Sequence, residues 1–433
     1  MNGTCRDLAV CVPSGTTTEL VVKQLLDGSQ HVLDTNYVNG SSQYDRGVYA
    51  EFVAGNCNVF ATVGILEHED NLRNLHGYTA SFRSSDKLHS KEPLSIMTRE
   101  GDNQFGDFVQ WVLHALITAE AMNISQQQAQ SFPTTTVFGP QYEHMFQNAI
   151  SAVANMGELW NRTLGRRPLI NTINNGTTGL MYSFPFGDTT LVPTTTTKAP
   201  VVNPSHAHNR TTLEVVADRN KVRCGIVGDR PGFATKHSSN TTANTYESFE
   251  NSHEWDGIDI DFCCGIAAAL FAQDQGHIVL VELANSSAGF QALAQGEIDL
   301  FAGAPFTLEN DIKERSTGQG FNFGPIYYYS NEQLVSLASR EEDVQWSDFL
   351  RWITFATIYA EEEGIGAATA FRMPLLELYG SSYKQAFRDL IFTVGNYGEI
   401  YERNLENYVP RSGRNMLNHA NNPQFFPLSL TFY

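Results

Sequence analysis

Short apolar segments alternate with longer amphipathic segments over two separate parts of the chain. In residues 8–92 the pattern predicts strands at LAVCV, HVLDTNYV and CNVFATV, with helices between them. In residues 214–330 it predicts strands at VRCGIVG, HIVLVELA and IDLFAGAP, a strand that runs into a helix at WDGIDIDFCCGIAAALFA, and a helix at AGFQALAQGE. Strands that alternate with helices form open sheets with crossover helices, so we expect an α/β fold in both parts.

The helical segments that follow these two parts repeat each other at an offset of 241 positions. REGDNQFGDFVQWVLHALITAEAMNI at 99–124 matches REEDVQWSDFLRWITFATIYAEEEGI at 340–365, and VANMGELWNRTL at 153–164 matches VGNYGEIYERNL at 394–405. The shared register predicts an internal repeat. The first block predicts an amphipathic helix, whose apolar face carries Phe108, Trp111, Val112, Ala115 and Ala119.

A stretch rich in threonine and proline, residues 187–212, has almost no periodic apolar pattern. It predicts an extended linker, and its threonines are candidates for O-glycosylation. The linker divides the chain into a first unit, 1–186, and a second unit, 213–433. The predicted parts of these units are an α/β part 8–92 with a helical tail 93–186, and an α/β head 213–331 with a helical tail 332–433.

The charge balance limits the classes of partner. A net charge of −19 argues against nucleic acid and against an anionic membrane surface. No apolar run reaches the roughly 18 residues that a membrane helix needs, so we expect no direct membrane insertion. With 42% hydrophobic and 17% charged residues, the composition is typical of a globular chain.

Cysteine placement and glycosylation sequons indicate the compartment. Cys11 and Cys57 end and begin neighbouring strands, and Cys224 and Cys263 likewise lie on neighbouring elements, which suits two disulfides within the α/β parts. Buried free thiols are the alternative.

Asn-x-Ser/Thr sequons occur slightly more often than composition alone gives, at Asn2, Asn39, Asn123, Asn161, Asn175, Asn209, Asn240 and Asn285. We therefore expect an extracytoplasmic protein. MNGTCRDLAVCV has no signal-peptide pattern, so either a signal was removed or Met1 is not the true start.

The segment PSGTTTE, directly after the first predicted strand, allows two interpretations. Gly15, Thr16, Thr17 and Thr18 could bind an anion with backbone N–H groups and hydroxyls at the start of a helix. Thr16 or Thr17 could instead cap that helix, with Glu19 near the capping-box position. Spacing alone favours the cap.

Three stretches resemble the family 3 extracellular solute-binding proteins, which serve ABC importers for polar amino acids. They are GTTTELVV…AEFVAGNCNVFAT, DGIDIDFCCGIAAALFA and FQALAQGEIDLFAGAPFTLEN. SKEPLSIMTREGD, VGNYGEIYERN and the cysteine pairs are similar to the general L-amino-acid-binding branch. The resemblance implies periplasmic-binding-protein-like lobes, with 8–92 similar to the second lobe of that fold and 213–331 to its first lobe. Each unit then lacks the other lobe.

The resemblance also implies a ligand site at the lobe edges. On this basis the carboxylate loop of the second lobe falls on Gly15, Thr16, Thr17 and Thr18. In the first lobe Phe233 would pack on the ligand, unless it is a core residue. Ala302, Gly303 and Ala304 would contribute backbone groups.

Two positions depart from the pattern that the resemblance implies. Asp311 stands where the family has a carboxylate-binding arginine, which Arg315 could replace only if the loop were shifted. Val63 stands where the family has an acidic residue that binds the ligand's amine. The charged residues of EWDGIDID, which are Glu254, Asp256, Asp259 and Asp261, are interpreted as turn and surface positions.

These observations predict a non-catalytic solute-binding protein for a small polar ligand such as an amino acid, with a membrane importer or receptor as the implied partner. The alternative is a degenerate binding-protein fold kept as a secreted structural or interaction protein. An enzyme on this fold is not favoured, since no nucleophile elbow or phosphate loop occurs. We expect no cofactor and no metal, because SHAHNR and HEDN lack the spacing of designed metal ligands.

Overall fold

The computed structural model of the chain describes residues 8–13, 16, 18–19, 22, 31–35, 47–61, 71–83, 95–164, 210–236, 254–330, 333–376 and 379–416. The chain divides into two compact units. The first contains Met1–Glu92 with Leu164–Asn171, and the second contains Pro93–Thr163 with Thr172–Tyr433. Residues 93–163 therefore pack with the second unit, whereas the sequence division placed them with residues 8–92.

A three-stranded parallel sheet forms the centre of the first unit. Strand β1 (Ala9–Pro13) lies between β2 (His31–Thr35) and β3 (Val59–Phe60), and helix α1 (Tyr49–Val53) precedes β3. A π-helical turn follows at Asn71–Leu75.

Strand β1 is buried on both faces because its apolar side chains alternate. Val10 and Val12 pack against Val22 on one side, and Cys11 packs against Val48 on the other. A strand buried on both faces is typical of the middle of a parallel sheet covered by helices.

A six-stranded mixed sheet forms the centre of the second unit. Its strands are β4 (Val222–Val227), β7 (Ile278–Leu283), β8 (Leu300–Pro305), β9 (Phe321–Phe323), β10 (Tyr328–Tyr329) and β11 (Leu334–Arg340), and a separate pair is formed by β5 (Thr235–Lys236) and β6 (Trp255–Asp256). The order in the sheet is β10-β11-β8-β4-β7, with β9 paired to β11. Strands β4, β7 and β8 are parallel to one another, and β11 runs antiparallel to β8.

Helices cover both faces of this sheet, which confirms the predicted α/β class. No helix within the described ranges combines the length and apolarity needed to cross a bilayer. The helices of the second unit are α2 (Asn103–Ala121), α3 (Met145–Val153), α4 (Met156–Thr163), α5 (Thr212–Arg219), α6 (Ile258–Leu270), α7 (Ser286–Ala294), α8 (Leu308–Lys313), α9 (Val344–Glu362), α10 (Ala386–Val394) and α11 (Tyr397–Asn404). Short 3-10 turns occur at Gln126–Ser131, Pro140–Tyr142, Gln275–His277, Ala367–Arg372, Ser381–Tyr383 and Gly413–Asn415.

The two helical tails have corresponding elements. Helix α2 and helix α9 start 241 positions apart, and the same offset relates α3 to α10 and α4 to α11. Their local hydrogen bonds correspond as well. The Asn155 side chain donates to Ile124 O at 2.9 Å, and the Asn396 side chain donates to Ile365 O at 2.9 Å. Both tails therefore use the same connection between their helices.

The first tail packs on the head of the second unit through an apolar face of α2. Trp111 is fully buried, and its ring stacks on Phe306 with centroids 5.7 Å apart. Its indole Nε1–H donates to Asp311 Oδ2 at 2.7 Å. Leu308 and Leu334 belong to the same buried cluster. This apolar contact explains why residues 93–163 fold onto the second unit, since the burial of large aromatic rings dominates packing energy.

The four paired cysteines confirm the two predicted disulfides. Cys11 is bonded to Cys57 and joins β1 to the segment before β3. Cys224 is bonded to Cys263 and joins β4 to α6. Cys264 is a buried free thiol, and Cys5 lies outside the described residues.

The buried hydrogen bond between Trp111 and Asp311 predicts a specific effect of substitution. Trp111→Phe keeps an aromatic ring but removes the donor, so a buried carboxyl oxygen loses its partner. We expect the free energy of unfolding, measured by urea denaturation, to fall by about 2 kcal/mol. Trp352→Phe is the matched control, because Trp352 occupies the corresponding position of the second tail and is only partly buried. Equal losses for both variants would contradict the assigned role of the hydrogen bond.

Candidate functional site

The carboxyl ends of β4 and β8 lie side by side in the six-stranded sheet, since Cys224 pairs with Leu300 and Gly225 with Phe301 in parallel register. Ligands of open α/β sheets bind beyond this edge. The loop after β4 and the start of α6 approach the same edge, because the Ile258 backbone N–H donates to Gly232 O at 2.9 Å. This edge is the candidate site of the second unit.

A buried network around Asp259 forms the floor of this site. Tyr327 Oη–H donates to Asp259 Oδ1 at 2.5 Å, and the Gly303 backbone N–H donates to Tyr327 Oη at 2.7 Å. Asp259 Oδ2 is buried and accepts no hydrogen bond within the described residues. The nearest cation is the guanidinium of Arg230, with Nη1 at 3.6 Å from this oxygen.

Burial determines the protonation of the floor. It raises the pKa of Asp259 to about 6, against the opposing effects of the Arg230 charge and the hydrogen bond from Tyr327. Burial also raises the pKa of Tyr327 well above its usual range, and the Asp259 charge adds to this rise. Tyr327 therefore remains a hydrogen-bond donor at physiological pH. The interpretation of Asp259 as a turn or surface position is wrong, because the strand β6 ends at Asp256 and Asp259 lies in the first turn of α6, fully buried.

Arg230 and Phe233 form the wall of the site. The guanidinium carbon of Arg230 lies 4.6 Å above the centroid of the Phe233 ring, and Nη1 donates to Gly303 O at 3.2 Å. The Phe233 ring also makes an edge-to-face contact with Tyr328, with centroids 4.9 Å apart. Phe233 is partly buried and packs against the main core, while the Arg230 side chain is 24% exposed. Phe233 thus has core contacts, as one of the two interpretations expects, and its packing on a ligand stays a prediction.

The strand-edge residues Ala302, Gly303 and Ala304 are buried and adjacent to this wall. Gly303 has φ +76°, and a Cβ there would collide with Asp259 Oδ2 and the Arg230 guanidinium. Its backbone N–H and O are both used by protein side chains, Tyr327 and Arg230. The sequence prediction assigned these backbone groups to the ligand. In the structure the exposed polar group at this point is the Arg230 guanidinium.

In the first unit, Thr16 lies directly after the carboxyl end of the central strand β1. Its hydroxyl donates to Pro13 O at 2.6 Å and accepts from the Glu19 backbone N–H at 3.3 Å. This is the capping arrangement that spacing favoured. A hydroxyl has one hydrogen, so Thr16 has none to donate to a carboxylate here. Thr18 is buried with helical backbone, and Gly15 and Thr17 lie outside the described residues.

Asp311, expected in the place of a carboxylate-binding arginine, faces the first tail. Burial raises the pKa of Asp311 well above its usual range, the Asp107 charge adds to the rise, and the hydrogen bond from Trp111 opposes it. Burial and the Glu341 charge raise the pKa of Asp107 to about 7. Arg315 pairs with Glu309 at 3.1 Å, which leaves it away from the network around Asp259. Val63 lies outside the described residues.

A cavity of about 310 Å³ lies elsewhere, between Ala367, Val394, Gly395, Glu399 and Arg403 of the second tail. Of the two glutamates in its lining, Glu399 and Glu402, the first has a structural role, since Glu399 Oε2 accepts from the backbone N–H groups of Asn396 at 2.8 Å and Ala367 at 3.2 Å.

Three predicted glycosylation sites are exposed to solvent: Asn123, Asn161 and Asn285. Asn285 also caps helix α7, because its side chain accepts from the Ala288 backbone N–H at 2.9 Å. The other predicted sequons lie outside the described residues: Asn2, Asn39, Asn175, Asn209 and Asn240.

The curated relatives of the chain are bacterial amino-acid-binding proteins. The glutamate/glutamine/aspartate/asparagine-binding protein BztA of Rhodobacter capsulatus is 27% identical over 201 residues, which cover 41% of this chain and 57% of that protein. The general L-amino acid-binding periplasmic protein AapJ of Rhizobium johnstonii is 31% identical over 130 residues, which cover 30% of this chain and 32% of that protein. These relatives confirm the resemblance to family 3 solute-binding proteins, and the chain spans from about a third to just over half of their length.

Two solved structures match part of the chain at low TM-score. An ABC transporter periplasmic binding protein from Brucella ovis with glutathione bound has a TM-score of 0.37 and 19% identity, over 46% of this chain and 92% of that one. The cysteine-binding protein from Campylobacter jejuni has a TM-score of 0.28 and 10% identity, over 46% of this chain and 94% of that one. No family model matches the chain.

The capping role of Thr16 predicts a local loss of stability. Thr16→Ala removes the acceptor for the Glu19 N–H, which costs about 1 kcal/mol. We expect hydrogen–deuterium exchange of peptides that span residues 9–22 to become about fivefold faster. Thr16→Ser keeps the hydroxyl and serves as the control. Unchanged exchange in Thr16→Ala would contradict the capping assignment.

The buried Asp259 predicts a pH dependence of stability. Its pKa of about 6 in the folded chain is above the usual value of 3.8, so the folded chain binds more protons than the unfolded chain between these pH values. Its contribution to stability is therefore present below pH 4 and is lost as the pH rises to about 6, by at most about 3 kcal/mol.

The test compares wild type and Asp259→Asn by urea denaturation from pH 4 to pH 7. The difference between their free energies of unfolding should change over this interval, with wild type losing stability relative to the variant as the pH rises. A difference that stays constant would show that Asp259 titrates normally.

Proposed function

We propose that the chain is an extracytoplasmic solute-binding protein that binds a small polar ligand, such as an amino acid, without chemical change. The observation that carries the proposal is the edge of the six-stranded sheet, where a partly exposed guanidinium lies over the face of Phe233 above a buried polar floor. A flat apolar ring beside a few fixed polar groups is typical of sites for small ligands. The curated relatives named as amino-acid-binding proteins support the same class of ligand.

The proposed location outside the cytoplasm is supported by three features. The two disulfides require an oxidising compartment to persist. The exposed sequons at Asn123, Asn161 and Asn285 are accessible for glycan attachment. A curated relative is named as a periplasmic protein. A membrane importer or receptor is the partner that fits a protein of this class.

The proposed architecture is a pair of incomplete tandem units joined by the linker 187–212. The matching bounds of the two helical tails support a duplication. The first tail packs on the α/β head of the second unit, where Trp111 contacts Phe306 and Asp311.

A panel of the twenty L-amino acids tests the proposed function by thermal shift of the full chain. A ligand at 100 times its Kd stabilises the folded state by about 2.7 kcal/mol, which corresponds to a Tm rise of roughly 3 °C for a chain of this size. We expect at least one polar amino acid to give such a shift. The absence of a shift with every amino acid at millimolar concentration would overturn the proposal.

Substitution at the ring locates the site. Phe233→Ala removes the ring that supports the Arg230 guanidinium at the site, so the shift should shrink or disappear. Phe371→Ala makes the same change at a phenylalanine that is 69% exposed in the second tail, and it should leave the shift intact. A full shift in Phe233→Ala would place the ligand elsewhere without excluding binding.

A further inference from the structure

The described arginines of the second unit differ in how completely the protein uses them. Arg219 forms an ion pair with the largely buried Asp299, and Arg340 donates to Leu293 O, Ile298 O and the Thr212 hydroxyl. Both lie towards the amino ends of the parallel strands, because Asp299 directly precedes β8. Both side chains bind groups of the protein itself.

Arg230, at the carboxyl ends, is used far less. One hydrogen bond, from Nη1 to Gly303 O, fixes the guanidinium, and the 3.6 Å separation from Asp259 Oδ2 is too long for a second. A guanidinium carries five N–H groups. Among the described residues, Nε and Nη2 of Arg230 have no protein acceptor, and the side chain remains 24% exposed. Donors are therefore available at the site.

Three contacts hold this guanidinium in one orientation. Phe233 supports its face at 4.6 Å, Gly303 O accepts from one nitrogen, and the Asp259 carboxyl lies behind it. Glycine at position 303 is required for this arrangement, since a side chain there would occupy the space of Arg230 and Asp259. An arginine fixed in advance loses little freedom when it binds a carboxylate, and its planar fork matches the two carboxylate oxygens.

We propose that Arg230 is the anchor for the ligand's carboxylate group, binding it through the N–H groups that Gly303 leaves free while the ligand packs beside Phe233. This inference rests on the proposed function and assigns its ligand class: small molecules with a free carboxylate, α-amino acids among them. Arg230 takes the task that the resemblance gives to an arginine at position 311, where this chain has an aspartate that faces Trp111. The site thus has a carboxylate-binding cation on a different loop.

The experiment compares each amino acid that binds wild type with its α-carboxamide, in which a neutral amide replaces the carboxylate. Arg230→Met keeps an apolar stem over Phe233 and removes the charge. Isothermal titration calorimetry should show a loss of about 10- to 100-fold in affinity for the free amino acid. The affinity for the carboxamide should change less than threefold. Arg230→Lys, which keeps the charge but not the fork, should give an intermediate loss.

Arg315→Met is the matched control, because Arg315 is an exposed arginine of the same unit that pairs with Glu309. It should bind the free amino acid as wild type does. Arg230→Met removes the cation beside a buried carboxyl, so Asp259→Asn and the double variant Arg230→Met/Asp259→Asn are measured too. Asp259→Asn is the reference for the double variant, which should bind the free amino acid about 10- to 100-fold more weakly than Asp259→Asn does.

Two results would overturn the assignment while leaving the proposed function intact. One is an affinity for the free amino acid that differs less than threefold between Arg230→Met and wild type, or between the folded double variant and Asp259→Asn. The other is an equal loss for the amino acid and its carboxamide, which would indicate packing rather than charge. If wild type binds none of the twenty amino acids, the proposed function and this inference both fail.

Discussion

The buried carboxyl group of Asp259 determines how the carboxyl edge of the six-stranded sheet can be used. A buried carboxyl needs hydrogen bonds or a counter-charge, since an isolated charge in a protein interior is strongly destabilising. Tyr327 supplies the hydrogen bond and Arg230 supplies the charge. Gly303 makes room for both partners and bonds to each of them through its backbone. The conformation of the loop after β4 and the position of Phe233 follow from these contacts.

The same constraint explains why the site differs from the one that the resemblance implies. Backbone groups of Gly303 that would meet a ligand are occupied by side chains of the protein. The partly exposed guanidinium of Arg230 lies beside them, and in our proposal it recognises the ligand in their place. Asp311 accepts a hydrogen bond from Trp111 of the first tail. The first tail therefore covers the position at which the resemblance places a ligand-binding arginine.

The sequence was sufficient for the features that depend on local pattern. Alternating apolar segments predicted the α/β class, and cysteines on neighbouring elements predicted both disulfides. The spacing of Thr16 and Glu19 predicted the cap. The site could be predicted only in part, because Asp259, Arg230 and Tyr327 meet across separations of 29 and 68 residues. Asp259 was assigned to the surface because an aspartate in a polar-looking stretch shows no sign of a partner so far along the chain.

The packing of the first tail could not be read from the sequence for a similar reason. The apolar face of α2 predicts that it is buried, but it does not say against which surface. Phe306 and Leu308 follow the strand β8 and present that surface in the second unit. Both tails carry nearly the same apolar pattern, and the surface used by the first tail also offers an acceptor, Asp311, for the indole of Trp111.

Nuclear magnetic resonance of the arginine side chains tests the central claim most directly. In a chain labelled with 15N-arginine, the Nε–H signal of Arg230 is assigned by its absence from Arg230→Lys. A carboxylate bound to the guanidinium should shift this signal and slow its exchange with water when a binding amino acid is added, while the Arg315 signal stays in place. Binding of the amino acid with no change in the Arg230 signal would contradict the account.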